Sequence, residues 1–253
     1  MSLVNDIGLD AFLKDFPLMS VRPSRTLSGI VIKGTFVFTA RSATHGQLTD
    51  QYKLQIVVPP DFPRSVPRVT ELENKIPRGD GFHINPDESL CLGSPLRLLL
   101  MLNEVPTLIG FSDSCLVPFL FAISYKLQHG GKLPFDELDH GVAGLLADYV
   151  DLFGLRHPAQ ALNTLRALGM KKRRANKLPC PCACGLRLGK CNFNRTIARF
   201  RAIREIGRPF YRAHAQECED QIVAAAKILA KRRNLVSSSS SYVVRVDDGR
   251  KAV

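Results

Sequence analysis

The sequence predicts an α+β fold that continues into a small basic, cysteine-rich helical module and then a short flexible tail. Three observations predict it. Apolar and polar residues alternate between Arg25 and Val69, apolar residues recur at helical spacing before and after that stretch, and charge and cysteine usage both change abruptly near residue 166. With 253 residues, 45% of them apolar and 23% charged, the chain is long enough for one domain of ordinary size plus an appended module. The same composition excludes a collagenous, coiled-coil or wholly disordered chain.

Asp6 can cap a first helix running to Leu18, with Leu9, Phe12, Leu13 and Phe16 on one face. From Arg25 onward the period becomes two: Ile30, Ile32, Gly34 and Phe36 alternate with Val31, Lys33 and Thr35, and 52–58 reads as a further strand. Thr44-His-Gly-Gln between them supplies a turn, so an antiparallel meander is expected. Pro59, Pro63 and Pro67 then force an extended, non-helical exit from the sheet. Helical spacing resumes after Ser112, over Phe119–His129 and Glu137–Phe153, and Pro158 can open a third helix to Leu168. The run Leu116-Val-Pro-Phe-Leu-Phe-Ala-Ile is far shorter than the roughly 20 residues that cross a bilayer, so it is expected in the core. The N-terminal Met1-Ser-Leu-Val-Asn-Asp carries no export pattern, and the expected location is the cytoplasm.

Charge and cysteines divide the chain. The formal charge is +12, and between Arg166 and Leu235 there are 18 Lys and Arg against four Asp and Glu, so the rest of the chain is close to neutral. Cys91 and Cys115 stand apart in the first part, whereas Cys180, Cys182, Cys184, Cys191 and Cys218 crowd into the second. Seven cysteines in a reducing compartment read as metal ligands or thiol chemistry rather than disulfides. The expected organisation is a domain over 1–165, a basic module over 166–235 and a flexible tail over 236–253, which begins with the serine run Ser237–Ser241.

Residues 52–92 carry a resemblance. Val58-Pro-Pro-Asp-Phe-Pro-Arg-Ser-Val-Pro-Arg-Val69 is followed, after a glycine-containing loop, by Phe82-His-Ile-Asn-Pro-Asp-Glu-Ser-Leu-Cys-Leu92. This succession resembles the ubiquitin-conjugating (E2) family, in which a strand leads into Pro-x-Asp-Tyr-Pro-x-x-Pro-Pro-x-Val, a His-Pro-Asn element and a nucleophilic Cys-Leu. Pro59, Asp61, Phe62, Pro63, Pro67 and Val69 keep the family's spacing, and Val66 replaces a proline. The resemblance covers roughly residues 5–155 and implies the ubiquitin-conjugating-enzyme fold. It departs where the family's asparagine position holds His83 and its histidine position holds Gly81, and in the absence of tryptophan. These departures point to divergent bacterial members encoded in conjugation-like and antiviral operons, some beside a cGAS-like nucleotidyltransferase.

What the resemblance implies is a thioester enzyme. Cys91 would accept the C-terminal glycyl group of a protein partner, a ubiquitin-like protein or a cGAS-like nucleotidyltransferase, and pass it to an amine. Such chemistry needs a thiol that can become thiolate and a donor for the tetrahedral oxyanion. His83 can give a ring N–H or act as base, and Asn85 is the other oxyanion donor. Asp87 and Glu88 are expected as loop residues able to orient His83 or an incoming amine, and Cys115 as core. The sequence shows no adenylating domain with its glycine-rich nucleotide loop, so activation is expected from another protein, a separate activating enzyme, or from a pre-formed interaction. A non-enzymatic adapter on the same fold is the alternative, and a Cys91–His83 hydrolase lacks an orienting third residue.

In the basic module, Leu178-Pro-Cys-Pro-Cys-Ala-Cys-Gly-Leu-Arg-Leu-Gly-Lys-Cys-Asn192 resembles the short SEC-C zinc module. Cys180, Cys182 and Cys191 keep its pattern, Asn192 stands where the last ligand should be, and Cys184 replaces a serine. The resemblance implies structural zinc on Cys180, Cys182, Cys184 and Cys191, with His214 or Cys218 as other possible fourth ligands. Around it the basic runs Lys171–Arg174 and Lys231–Arg233 and Arg195, Arg199, Arg201, Arg204, Arg208 and Arg212, interleaved with Phe193, Phe200, Phe210 and Tyr211, make a mixture suited to nucleic acid or to an acidic protein surface.

Overall fold

The computed structural model describes residues 7–24, 28–79, 81–131, 133–134 and 141–239, with side chains through 231. Asp6, the start of the helix expected from Glu137, and 240–253 lie outside them. Among the described residues the fold is α+β, a four-stranded antiparallel sheet followed by helices.

Helix α1 (Leu9–Asp15) precedes strands β1 (Met19–Arg22), β2 (Ile30–Ser42), β3 (Gly46–Val58) and β4 (Arg68–Glu71), which lie in sequence order as a meander. The expected first helix is too long: Pro17 bars helical backbone at the residue before it, so the helix stops at Asp15 and the chain enters β1. Strand β1 crosses β2 with Met19 opposite Gly34. A Cβ at position 34 would sit 2.1 Å from the Leu18 carbonyl oxygen, which is why glycine interrupts that apolar alternation. The β2–β3 hairpin turns at 43–45 as expected and sets Phe36 opposite Tyr52 and Ile32 opposite Ile56 on the buried face. Phe16 of the α1 exit stacks on Phe36 with ring centroids 4.2 Å apart.

The proline-rich exit is a set of turns rather than an extended run. Phe62 N–H and Arg64 N–H bond back to the Pro59 and Asp61 carbonyls, and the Phe62–Pro63 peptide is cis.

Helix α2 (Pro95–Glu104) has no counterpart in the sequence reading. Its Leu-rich stretch lacks a clear period because two cores claim it: Leu98 and Leu102 pack with the sheet, Leu96 and Leu99 with the C-terminal helices. Helix α3 (Leu108–His129) starts earlier than expected and contains a π-turn over Ser112–Leu116. By length and composition it could cross a membrane, yet 61% of its most apolar window is buried inside the molecule, where Leu116, Leu120 and Ile123 complete the sheet's core.

Helices α4 (Gly141–Phe153) and α5 (Pro158–Gly169) match the expected pattern, Pro158 opening the latter. They pack with the cysteine segment and with α6 (Lys172–Ala175), α7 (Asn194–Ala202) and α8 (Arg208–Ser239) in a second core holding Tyr149, Leu165, Leu188, Phe200, Tyr211 and Cys218. The last helix runs through Ser239, so Ser237–Ser239 are helical where a flexible tail was expected.

Candidate functional site

The segment carrying His83, Asn85 and Cys91 hangs on the free edge of β4. Leu90 N–H bonds to the Val69 carbonyl and Ser89 pairs with Thr70, so the chain runs back beside the sheet. It forms a tight hairpin of its own: Ile84 pairs with Leu90, Asn85 N–H bonds to the Ser89 carbonyl at 2.8 Å, and Cys91 N–H to the His83 carbonyl at 2.8 Å. Positive φ at His83 (51°) and Glu88 (70°) gives the backbone its turn. Lys126 of α3 steadies the approach, donating to the Gly81 carbonyl at 2.7 Å with its ammonium over the Phe82 ring. His83 and Cys91 are therefore opposed across two short strands, and both line one cleft of about 1230 Å³ with Asn85 and Ser94.

The cleft's electrostatics are uneven. Cys91 is half-buried, and desolvation pushes its thiol above the ordinary range, partly offset by the Gly93 backbone N–H. Asn85 spends one amide N–H on Ser89 Oγ at 3.0 Å and keeps the other. Asp87 and Glu88 are loop residues, as expected, and both carboxylates are engaged by neighbouring side chains. Asp87 accepts from Ser89 Oγ at 2.6 Å and pairs with Arg68, which hold its carboxyl below the usual range, while Glu88 pairs with Arg78 at 2.5 Å. Cys115 also lines the cleft but is core, its thiol pushed up by burial to about 11.

A polar network that sequence reasoning missed fixes the chain three residues beyond Cys91. Ser94 caps α2 in sequence, yet its hydroxyl donates to Asp148 of α4 at 2.5 Å, and Arg97 grips the same carboxylate with Nε at 2.9 Å and Nη2 at 2.5 Å. Leu96 N–H donates to the Tyr149 phenol oxygen at 3.2 Å, and that oxygen lies 2.7 Å from His214 Nε2 on α8. His214 and Glu217 line the cleft opposite the Cys91 hairpin, so the C-terminal helix is one of its walls. The available signal was Asp148, a carboxylate among the apolar positions of its helix, which needs a cationic partner once buried.

The second site is the cysteine segment. Residues 178–188 form a small hairpin, with Cys180 N–H bonded to the Leu186 carbonyl and Leu188 N–H to the Leu178 carbonyl, and left-handed Ala183 and Gly185 turning it. It gathers Cys180, Cys182, Cys184 and Cys191 so that all four sulfurs lie within 4.8 Å of one another. Adjacent Sγ atoms are 3.2 Å (Cys180–Cys182), 3.6 Å (Cys182–Cys191) and 3.5 Å (Cys184–Cys191) apart. Four sulfurs at about 2.3 Å from a tetrahedral zinc would be roughly 3.8 Å apart, so the group can hold a metal ion with spacing compatible with zinc.

The backbone supports that charge. Each sulfur accepts an N–H from two residues on: Cys182 to Cys180, Cys184 to Cys182, Leu186 to Cys184 and Phe193 to Cys191. These donors favour the thiolate that ligates metal, and the Leu186 N–H holds Cys184 below the ordinary thiol range, whereas burial pushes Cys180 and Cys182 above it. Gln160 of α5 clamps the loop from outside, donating to the Cys182 carbonyl at 2.9 Å. His214 and Cys218 stand outside the cluster, the first engaged by Tyr149 and Glu217 and the second packed in the core.

Comparison of the chain with protein-family models, with curated proteins and with solved structures yields no match.

Proposed function

We propose that the chain is a divergent ubiquitin-conjugating-like enzyme of a bacterial antiphage operon, forming a thioester on Cys91 with the C-terminal glycyl group of a protein partner. The observation that carries the reading is the opposition of Cys91 and His83 across the hairpin at the sheet's edge, in a cleft large enough for an extended peptide terminus. A meander followed by a cysteine and then helices supports it.

A thiol raised by burial is largely protonated at neutral pH, so the first requirement is a proton acceptor. His83 takes the Sγ proton as sulfur attacks the carbonyl carbon of a glycyl group activated by a separate enzyme. The second Asn85 N–H receives the oxyanion, and the leaving group departs with the proton. An amine then repeats the sequence on the thioester, which returns the thiol. Structural zinc on Cys180, Cys182, Cys184 and Cys191 would hold the C-terminal module closed, and α8 against the cleft, without taking part in this chemistry.

One observation favours a non-enzymatic adapter instead: among the described residues the raised Cys91 thiol is offset by the Gly93 backbone N–H and not by a cation, which an activated nucleophile needs. The test is intact mass after co-expression with the operon neighbours. A thiol-sensitive adduct on the wild type, converted to a stable ester by Cys91→Ser and lost in Cys91→Ala, supports the enzyme and identifies the partner by mass. No adduct, with biological activity retained in Cys91→Ala, supports the adapter.

A further inference from the structure

A strongly basic surface lies on the cysteine hairpin and the short helix beside it. Two groups of basic residues, Lys172–Arg174 and Arg187 with Lys190, become neighbours there. Gly189 N–H bonds to the Asn176 carbonyl at 3.1 Å and Pro179 pairs with Arg187, which lays α6 and its basic side chains beside the turn over Leu188–Lys190. Lys172, Arg173 and Arg174 are exposed, as are Arg187 and Lys190, and only Ala175 of that short helix is buried. Among the described residues none of these five cations has a carboxylate within ion-pair distance. Like charges gathered without counter-charge on the same chain destabilise it unless an external anion answers them.

The shape of the surface narrows the anion. Phe200 and Tyr211 are buried, and Phe193 and Phe210 pack on the second core, so the interleaved aromatics point inward and offer no platform for unstacked bases. Leu178 and Leu186 are the large apolar side chains exposed between 166 and 212 among the described residues, too few for the apolar centre of a protein interface. What remains is a group of exposed cations on two neighbouring segments, whose charge suits the phosphates of a nucleic-acid backbone.

We propose that this hairpin surface binds the phosphodiester backbone of duplex nucleic acid, without sequence selection. The inference is independent of the thioester reading.

The test is fluorescence anisotropy of the full-length protein with labelled mixed-sequence DNA and RNA duplexes, with poly-glutamate as competitor, over a salt series. Binding is expected to weaken steeply with salt, the logarithmic slope falling by about 0.9 for each phosphate contact removed. The variant Lys172→Gln/Arg173→Gln/Arg174→Gln should lose about tenfold or more in affinity and flatten the slope, and Arg187→Gln/Lys190→Gln should do the same from the other group. A control that removes three charges from the sheet domain, Lys14→Gln/Arg22→Gln/Arg41→Gln, should bind as the wild type does. The DNA and RNA arms tell which duplex is the better ligand, and tighter binding of either over poly-glutamate supports the proposal. It is overturned by absence of duplex binding at low salt, by equal losses in the control and hairpin variants, or by poly-glutamate displacing duplex at matched charge.

Discussion

Tyr149 and His214 meet through a hydrogen bond of 2.7 Å, buried where the C-terminal helix crosses α4. The Glu217 carboxylate can only accept, so the proton of a neutral His214 sits on Nδ1 and Nε2 accepts from the Tyr149 hydroxyl, whose oxygen accepts the Leu96 N–H. That Nδ1–H donates to Glu217 at 3.2 Å. Through these bonds α8 reaches the first turn of the helix that follows Cys91.

Acid should therefore loosen this contact. Burial lowers the His214 pKa below its ordinary 6.5, with Glu217 opposing less strongly. The folded state resists protonation while the unfolded chain takes up a proton below about pH 6.5, so this contribution is full above that pH and is lost as pH falls through the lower, folded value. Thermal unfolding from pH 7.5 down to pH 5 should show the wild type losing more stability than His214→Gln. Parallel curves for the two proteins would remove His214 as the titrating group.

Asp148 anchors a different strut of the same region. Asp148→Ala leaves Ser94 and the Arg97 guanidinium without their acceptor, and the expected loss in urea unfolding is about 2–3 kcal/mol, tempered because Arg97 is partly exposed. Asp148→Asn, which keeps shape and can still accept from Ser94, should lose less. Equal losses would mean that the charge answering Arg97, and not the shape of the side chain or its contact with Ser94, carries the whole effect.

These struts explain how far the sequence could be read. The meander, its turn near Thr44 and the helices around Leu146 and Leu165 followed from periodicity because each presents one face to one core. Helix α2 did not, since two cores bury it from both sides and erase its period. The four clustered cysteines were legible because their ligand spacing lies within fifteen residues of sequence. The Tyr149–His214 contact spans 65 residues between two helices, and no local pattern encodes such a meeting. Aromatics at helical spacing between arginines read equally as a base-stacking surface or a packed face, and only packing on the second core decides for the latter.

The cysteine cluster should contain one tightly held zinc per chain when the protein is purified without chelator, measured by elemental analysis. Cobalt substitution should give the intense sulfur-to-metal charge-transfer absorption of an all-thiolate tetrahedron, and Cys180→Ser or Cys191→Ser should weaken it and lower the melting temperature. His214→Gln and Cys218→Ala should leave the cobalt spectrum unchanged, because neither side chain belongs to the group of four.

Cys91 without its partners should be a slow thiol. Burial raises its pKa above the ordinary 9.0, so iodoacetamide should modify it at pH 7 more slowly than a free peptide cysteine, with a rate still climbing above pH 9. Mass mapping separates it from the other cysteines. In the proposed transfer the same burial calls for a base, the role proposed for His83. His83→Asn tolerates the left-handed backbone at that position and supplies an amide donor, so it removes the base while keeping a possible oxyanion contact. Adduct formation in His83→Asn is expected to fall about 10²-fold at neutral pH and to recover as rising pH supplies the thiolate directly. A wild-type rate at neutral pH would assign His83 to the oxyanion instead, and a loss that persists at high pH would leave it outside the proton transfer altogether.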